Sequence, residues 1–130
     1  MKLAGGCQCG RVRYGVDDKP FHETVCFCVD CRRSSGAVGV AWFSIKRTHF
    51  QWTGSPAAFR SSTSVLRRFC DRCGTTLAYE DETLPDELDL TIGSLDDPAL
   101  VTPKDYVWVQ QKPAWVPISS ALPHYGRRRR

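Results

Sequence analysis

Apolar residues along this chain alternate with polar ones for a few positions at a time and then give way to Gly, Pro, Asp or Ser. No helical period holds over a window of about eleven residues, so the pattern is that of short strands between turns. It predicts strands at 11–16, 37–44, 50–53, 58–61, 65–69, 76–79, 88–92 and 106–109. In the second of these Val38, Val40 and Trp42 fall on one face, as a half-buried strand requires. Helix is confined to short turns at 30–34 and 97–101, the latter opened by Asp96 or Asp97 with Pro98 in the first turn. The acidic stretch 80–87 contains Pro85 and predicts a surface loop. From Lys112 onward, Pro113, Pro117 and Pro123 predict an extended segment packed by Trp115. The fold class read from the pattern is mainly β, with little helix.

Composition narrows the class. A chain of 130 residues has the size of one domain, and neither an internal repeat nor a long linker divides it, so one domain is expected over 1–126. Apolar residues make up 42% and charged residues 25%, ordinary for a globular protein, and no apolar run approaches the ~20 residues of a membrane span. The opening MKLAGGCQCG reaches Gly and Cys before a signal peptide could develop, which makes the cytoplasm the expected compartment and a membrane partner unexpected. The net charge of +4 sits entirely on Arg127, Arg128, Arg129 and Arg130; without them fourteen basic residues face fourteen acidic ones. A run of like charge of this kind is expected to be a disordered, solvated tail over 127–130. Nucleic-acid binding through that tail, with Arg60, Arg67 and Arg68, therefore ranks last among the functions considered.

The cysteines change the picture most. All seven fall into clusters: Cys7 and Cys9 as C-x-C, Cys26, Cys28 and Cys31 as C-x-C-x-x-C, and Cys70 and Cys73 as C-x-x-C. An odd count, the strained ring a C-x-C bridge would close and a reducing compartment all argue against disulfides. Soft thiolates in such pairs suit zinc or an iron–sulfur centre. Four cysteines make a closed structural zinc, and three make a catalytic zinc with one position open. The outer pairs supply the four, Cys7, Cys9, Cys70 and Cys73, and the central cluster supplies the three, giving two Zn2+ per chain. Gly10 and Gly74 follow the second thiol of their pairs, where a metal knuckle needs a residue that tolerates positive φ. The alternative for the central trio is a second structural zinc closed by His22 or another side chain.

A three-thiolate zinc carries a net charge of about −1 and acidifies water poorly, so a thiolate or alkoxide suits its fourth position better than hydroxide does. Such a ligand needs cations nearby, and Arg32 and Arg33 follow the third thiol directly. Arg33 is a candidate partner for a substrate carboxylate, Ser35 and Gly36 for close backbone approach to a ligand, and Trp42 and Trp108 for the pocket wall.

Three ordered segments, GGCQCGRV, CFCVDCRRSSG and FCDRCGT, with YVWVQQKPAWVPI as an aromatic-rich late strand, resemble the glutathione-dependent formaldehyde-activating enzyme family, also called the CENP-V/GFA domain. The resemblance covers nearly the whole chain. It implies an Mss4-like zinc-containing fold, a structural zinc on the outer four cysteines and a second zinc on the central three. It also implies a carbon–sulfur lyase that joins glutathione, or a related thiol, to formaldehyde. Phe27 and Tyr106 stand where many members carry histidine, which bears on the identity of the small molecule. The alternative to an enzyme is a non-catalytic zinc-binding carrier or protein-interaction module with the same fold.

Overall fold

The computed structural model describes residues 2–129. Its strands are β1 Lys2–Gly6, β2 Arg13–Asp17, β3 Phe21–Cys26, β4 Val40–Lys46, β5 Phe50–Thr53, β6 Ala57–Ser62, β7 Val65–Phe69, β8 Thr76–Asp81, β9 Glu87–Thr91 and β10 Asp105–Val107, with one α-helix, α1 Val29–Ser35. The mainly β class is observed, and two strands join those expected. β1 is too rich in glycine to show a hydrophobic alternation, and β3 carries a bulge between Phe21 and Thr24 that breaks its period. His22 sits in that bulge at a φ of 50°. The helical turn expected at 97–101 is a short 3-10 turn at Pro98–Leu100, with the Asp97 side chain accepting from the Ala99 N–H.

Two sheets form, one of three strands in the order β1-β2-β5 and one of seven in the order β10-β3-β4-β9-β8-β7-β6. Every pairing is antiparallel except that of β10 with β3. The two faces of the large sheet have different chemistry because side chains alternate along each strand. One face carries Phe43, Ile45, Leu88, Leu90 and Ala78, joined by Leu77 from the bulge where β8 meets β7, all buried with Tyr14 and Val16 of the small sheet, and this is the main core. The Tyr14 hydroxyl is satisfied there by Ser94 Oγ at 2.8 Å. The other face carries a polar row beside a smaller apolar cluster of Val40, Trp42 and Val107. Register fixes the membership of the row: Arg67 lies opposite Tyr79, Tyr79 opposite Asp89 and Asp89 opposite Ser44, so four strands contribute one polar row.

Several sequence expectations need correction. Glu80 belongs to β8 and is buried, held by Arg68 at 2.6 Å and Arg47 at 2.9 Å, so the acidic loop begins only after Asp81. Trp115 is 74% exposed and packs nothing down. The basic tail is also held as far as it is described: Arg127 O accepts from the Trp108 N–H at 2.9 Å, and Arg129 pairs with both oxygens of Asp105 at 2.6 and 3.1 Å. Asp105 is buried at the edge of the sheet, and the charge on Arg129 satisfies it there. Arg130 lies outside the described residues. Of the other arginines considered for nucleic acid, Arg60 pairs with Glu82 and Arg68 with Glu80.

Candidate metal centres and the cavity beside them

The outer four cysteines converge from opposite ends of a long stretch of chain. Cys7 starts a tight turn closed by Gly10 N–H to Cys7 O, and Cys70 starts another closed by Gly74 N–H to Cys70 O. Gly10 and Gly74 both take a φ of 82°, the left-handed region where glycine alone is unstrained. The turns face each other: the Gln8 N–H donates to Thr75 Oγ1 at 3.0 Å, and Arg11 pairs with Asp71 at 3.0 Å. Cys7 and Cys9 Sγ lie 3.6 Å apart, and Cys9 and Cys70 Sγ lie 3.8 Å apart. Zinc–sulfur bonds of about 2.3 Å at tetrahedral angles require sulfurs about 3.8 Å apart, so the donor set fits zinc without rearrangement. Hydrogen bonds from the Thr75 hydroxyl and its backbone N–H bring the Cys73 thiol down to about 5, ready to bind as thiolate.

The central three are built by α1. Cys26 ends β3, and Cys28 caps the helix with its Sγ accepting from the Cys31 N–H at 3.3 Å. Cys31 is buried one turn on. The three sulfurs lie within 4.8 Å of one another, and among the described residues no His, Asp or Glu joins them. His22 therefore does not close the site. Hydrogen bonds from the Cys26 and Cys31 thiols and from the Cys31 N–H draw the Cys28 thiol far below its ordinary range, while contacts with Cys28 and Cys31, and burial, push Cys26 up.

The cation serving this cluster was not found by adjacency. Arg33 is exposed on α1 and does not line the cavity, and Arg32 does not line it either. Arg67, from β7, is 6% exposed and reaches over: its Nη1 lies 3.7 Å from Cys31 Sγ and 3.3 Å from Ser34 Oγ, and its Nε lies 3.2 Å from Ser61 Oγ. Its guanidinium also sits 5.1 Å from the centre of the Tyr79 ring. The clue was available in VLRRF, since a strand that buries Val65 turns Arg67 to the same side.

A cavity of about 740 Å3 opens beside the trio, with Cys26, Cys28 and Cys31 in its wall. Trp42, Val107 and Trp108 form its apolar part. Trp108 holds a φ of 57° and His22 a φ of 50°, and both of these strained residues line the cavity. Ser35 and Gly36 do not reach it. Ser35 Oγ donates to Cys31 O at 2.8 Å, and Gly36 stops α1 at a φ of 76° with its N–H bonded to Arg32 O. Their work is to end the helix. Phe27 and Tyr106 stack on each other with ring centres 6.1 Å apart.

Comparison with known proteins agrees with this geometry. The family model described as glutathione-dependent formaldehyde-activating enzyme matches residues 2–111. A Halomonas elongata protein, provisionally named a glutathione-dependent formaldehyde-activating enzyme, is 30% identical over 139 aligned positions, covering 92% of this chain and 83% of its own. A Rhodobacter sphaeroides protein of known crystal structure superposes with a TM-score of 0.60 at 22% identity, over 74% of this chain and 88% of that one, a likeness of fold.

Proposed function

The chain belongs to the glutathione-dependent formaldehyde-activating enzyme family, and from that premise we propose that it is a zinc-dependent carbon–sulfur lyase acting on glutathione or a related thiol and an aldehyde. The single observation that carries this reading is a trio of sulfurs in the wall of a cavity with no fourth protein ligand among the described residues. The trio fits zinc by its soft donor set, and the quartet of Cys7, Cys9, Cys70 and Cys73 fits a second, structural zinc. Zinc on the trio would lower the pKa of an incoming thiol and fix its sulfur.

The rest falls to the chain's own residues. Arg67 offsets the negative charge that a fourth thiolate adds beside Cys31. Trp42, Val107 and Trp108 keep water from the reacting sulfur. Tyr79, over which Arg67 lies, offers a hydroxyl to the aldehyde oxygen. The new bond joins thiol sulfur to aldehyde carbon, and the carbonyl oxygen takes the proton that the thiol gave up. Because this addition is already facile in water, most of the gain comes from positioning. Mixing the zinc-loaded protein with glutathione and formaldehyde and following S-hydroxymethylglutathione by NMR tests the proposal. A rate above buffer that Cys28→Ser abolishes is expected, and a rate equal to buffer overturns it.

A further inference from the structure

Residues 123–129 lie beyond the segment matched by the family model, which ends at Gln111, yet Arg128 and Arg129 line the cavity beside the trio. The segment follows β10 as a clasp, with His124 bridged in parallel to Tyr106. The Tyr106 N–H donates to Pro123 O at 3.1 Å, and the Tyr125 N–H donates to Tyr106 O at 2.9 Å. The clasp then grips the 3-10 turn Val109–Gln111: the N–H groups of Trp108, Val109 and Gln110 donate to Arg127 O, Tyr125 O and Gly126 O at 2.9, 3.0 and 3.2 Å. Arg129 fastens its end to Asp105 of β10.

Four contacts carry that grip onward to the sulfurs. In the loop between Cys26 and Cys28, the Phe27 N–H donates to Val107 O of β10 at 3.2 Å. The Phe27 ring is buried and stacks on Tyr106, the residue whose N–H and C=O the clasp occupies. Gln111 ends the gripped turn, and its Oε1 accepts from the Val29 N–H at 2.8 Å. Val29 directly follows Cys28 and opens α1, so its N–H has no partner within the helix. Tyr125 and Trp108 pack against the cluster that holds Cys26 and Cys31. Trp108 does so at a φ of 57°, a backbone that a bulky residue keeps only where its surroundings impose it, and the bonds from Trp108 and Val109 to the clasp impose it here.

We propose that residues 123–129 are a positioning element for the sulfur trio, setting the places of Cys26, Cys28 and Cys31 through Phe27, Gln111 and Tyr125. The inference rests on the reading of the trio as the working site and adds that this site is completed from outside the segment that defines the family. A need for such support follows from the size of α1, because seven residues do not hold a helix on their own and three ligands do not close a metal shell. The quartet has no such dependence. Its two turns close on each other, and among the described residues none of the bonds that join them involves the clasp.

Amide hydrogen exchange followed by NMR on the zinc-loaded full chain, with zinc transfer to a chelator measured alongside, tests this role. Arg129→Gln, which unfastens the clasp, is expected to quicken exchange at Phe27 and Val29 about fivefold, the scale of one lost hydrogen bond. Gln111→Met, which keeps the length of the side chain without its acceptor, is expected to do the same at Val29, and Gln111→Glu, which keeps an acceptor, to restore the native rate there. In Arg129→Gln and Gln111→Met the faster of the two zinc ions should leave sooner. Gly10 and Gly74, whose N–H groups close the turns of the quartet, should exchange as in the native chain, and the slower ion should leave at its native rate. Native exchange at Phe27 and Val29 in Arg129→Gln overturns the proposal. So does equal quickening at Gly10 and Gly74, the mark of a clasp that fastens the whole fold. Quickening confined to Phe27 and Val29 in a chain that carries a single zinc keeps the positioning role and overturns the zinc chemistry proposed for the trio.

Discussion

Arg67 is buried at 6% exposure without a carboxylate partner among the described residues, an arrangement that a protein holds only where negative charge comes from elsewhere. The cysteine trio, whose Cys31 Sγ it meets at 3.7 Å, is where that charge would sit when metal or a thiol ligand ionises it. Arg67→Met keeps the hydrocarbon and removes the charge, and glutathione affinity measured by calorimetry is expected to fall about tenfold. Arg67→Lys, with a charge but no fork to span Ser34, Ser61 and the sulfur, is expected to recover only part of it. Asp89 gives a second prediction, on pH. Burial raises its carboxyl to about 6, helped by Glu87 and Asp81, while Ser44 and Arg129 oppose the rise. A folded-state pKa above the unfolded value of 3.8 contributes stability that is full at low pH and is lost as pH rises through about 6. Asp89→Asn lacks that loss, so it is expected to be more stable than the native chain at pH 7.5, by about 1–2 kcal/mol, and equal to it near pH 4. Urea unfolding at the two pH values checks this.

The elements that hold the metal ligands are short, and each owes its shape to a few residues. α1 has seven residues, too few to stand alone, and is held by the Cys28 cap at one end and Gly36 at the other. Gly36→Ala forces a side chain into left-handed backbone and is expected to cost about 1 kcal/mol in thermal unfolding, with weaker metal retention at the trio. Elements whose cause is local were legible in the sequence: the two knuckles, the trio, and the strands Phe50–Thr53 and Val65–Phe69, whose bounds match those expected. What was hidden has a distant cause. β3 becomes a strand because β4 and β10 flank it, despite the bulge at His22, and Arg67 meets Cys31 across 36 residues of sequence. Arg33, adjacent in sequence, drew attention because adjacency was the only proximity the sequence displayed. The contact of Arg129 with Asp105 is hidden for the same reason, since nothing in four consecutive arginines announces that Asp105 awaits one of them.

At the scale of the whole molecule the large sheet divides the labour. One face packs Phe43, Ile45, Leu88 and Leu90 against the small sheet, and the other bears the ionisable groups of the cavity. No helix is long and apolar enough to cross a membrane among the described residues. The quartet joins sulfurs 61 residues apart in sequence. A structural zinc contributes about 10–16 kcal/mol in small metal-bound folds, as much as the whole stability of a typical domain. Cys70→Ser is therefore expected to leave the chain unfolded by circular dichroism, whereas Cys28→Ser is expected to keep the native spectrum and lose thiol binding. With zinc in both, as proposed, the two centres would also differ in how firmly they grip, four sulfurs in a closed knot against three beside an open cavity. A batch washed with a mild chelator can thus surrender the ion at its working end and keep the one that fastens its frame. Such material would pass every inspection of shape while being half-equipped, and only a count of ions per chain would tell it from the competent protein.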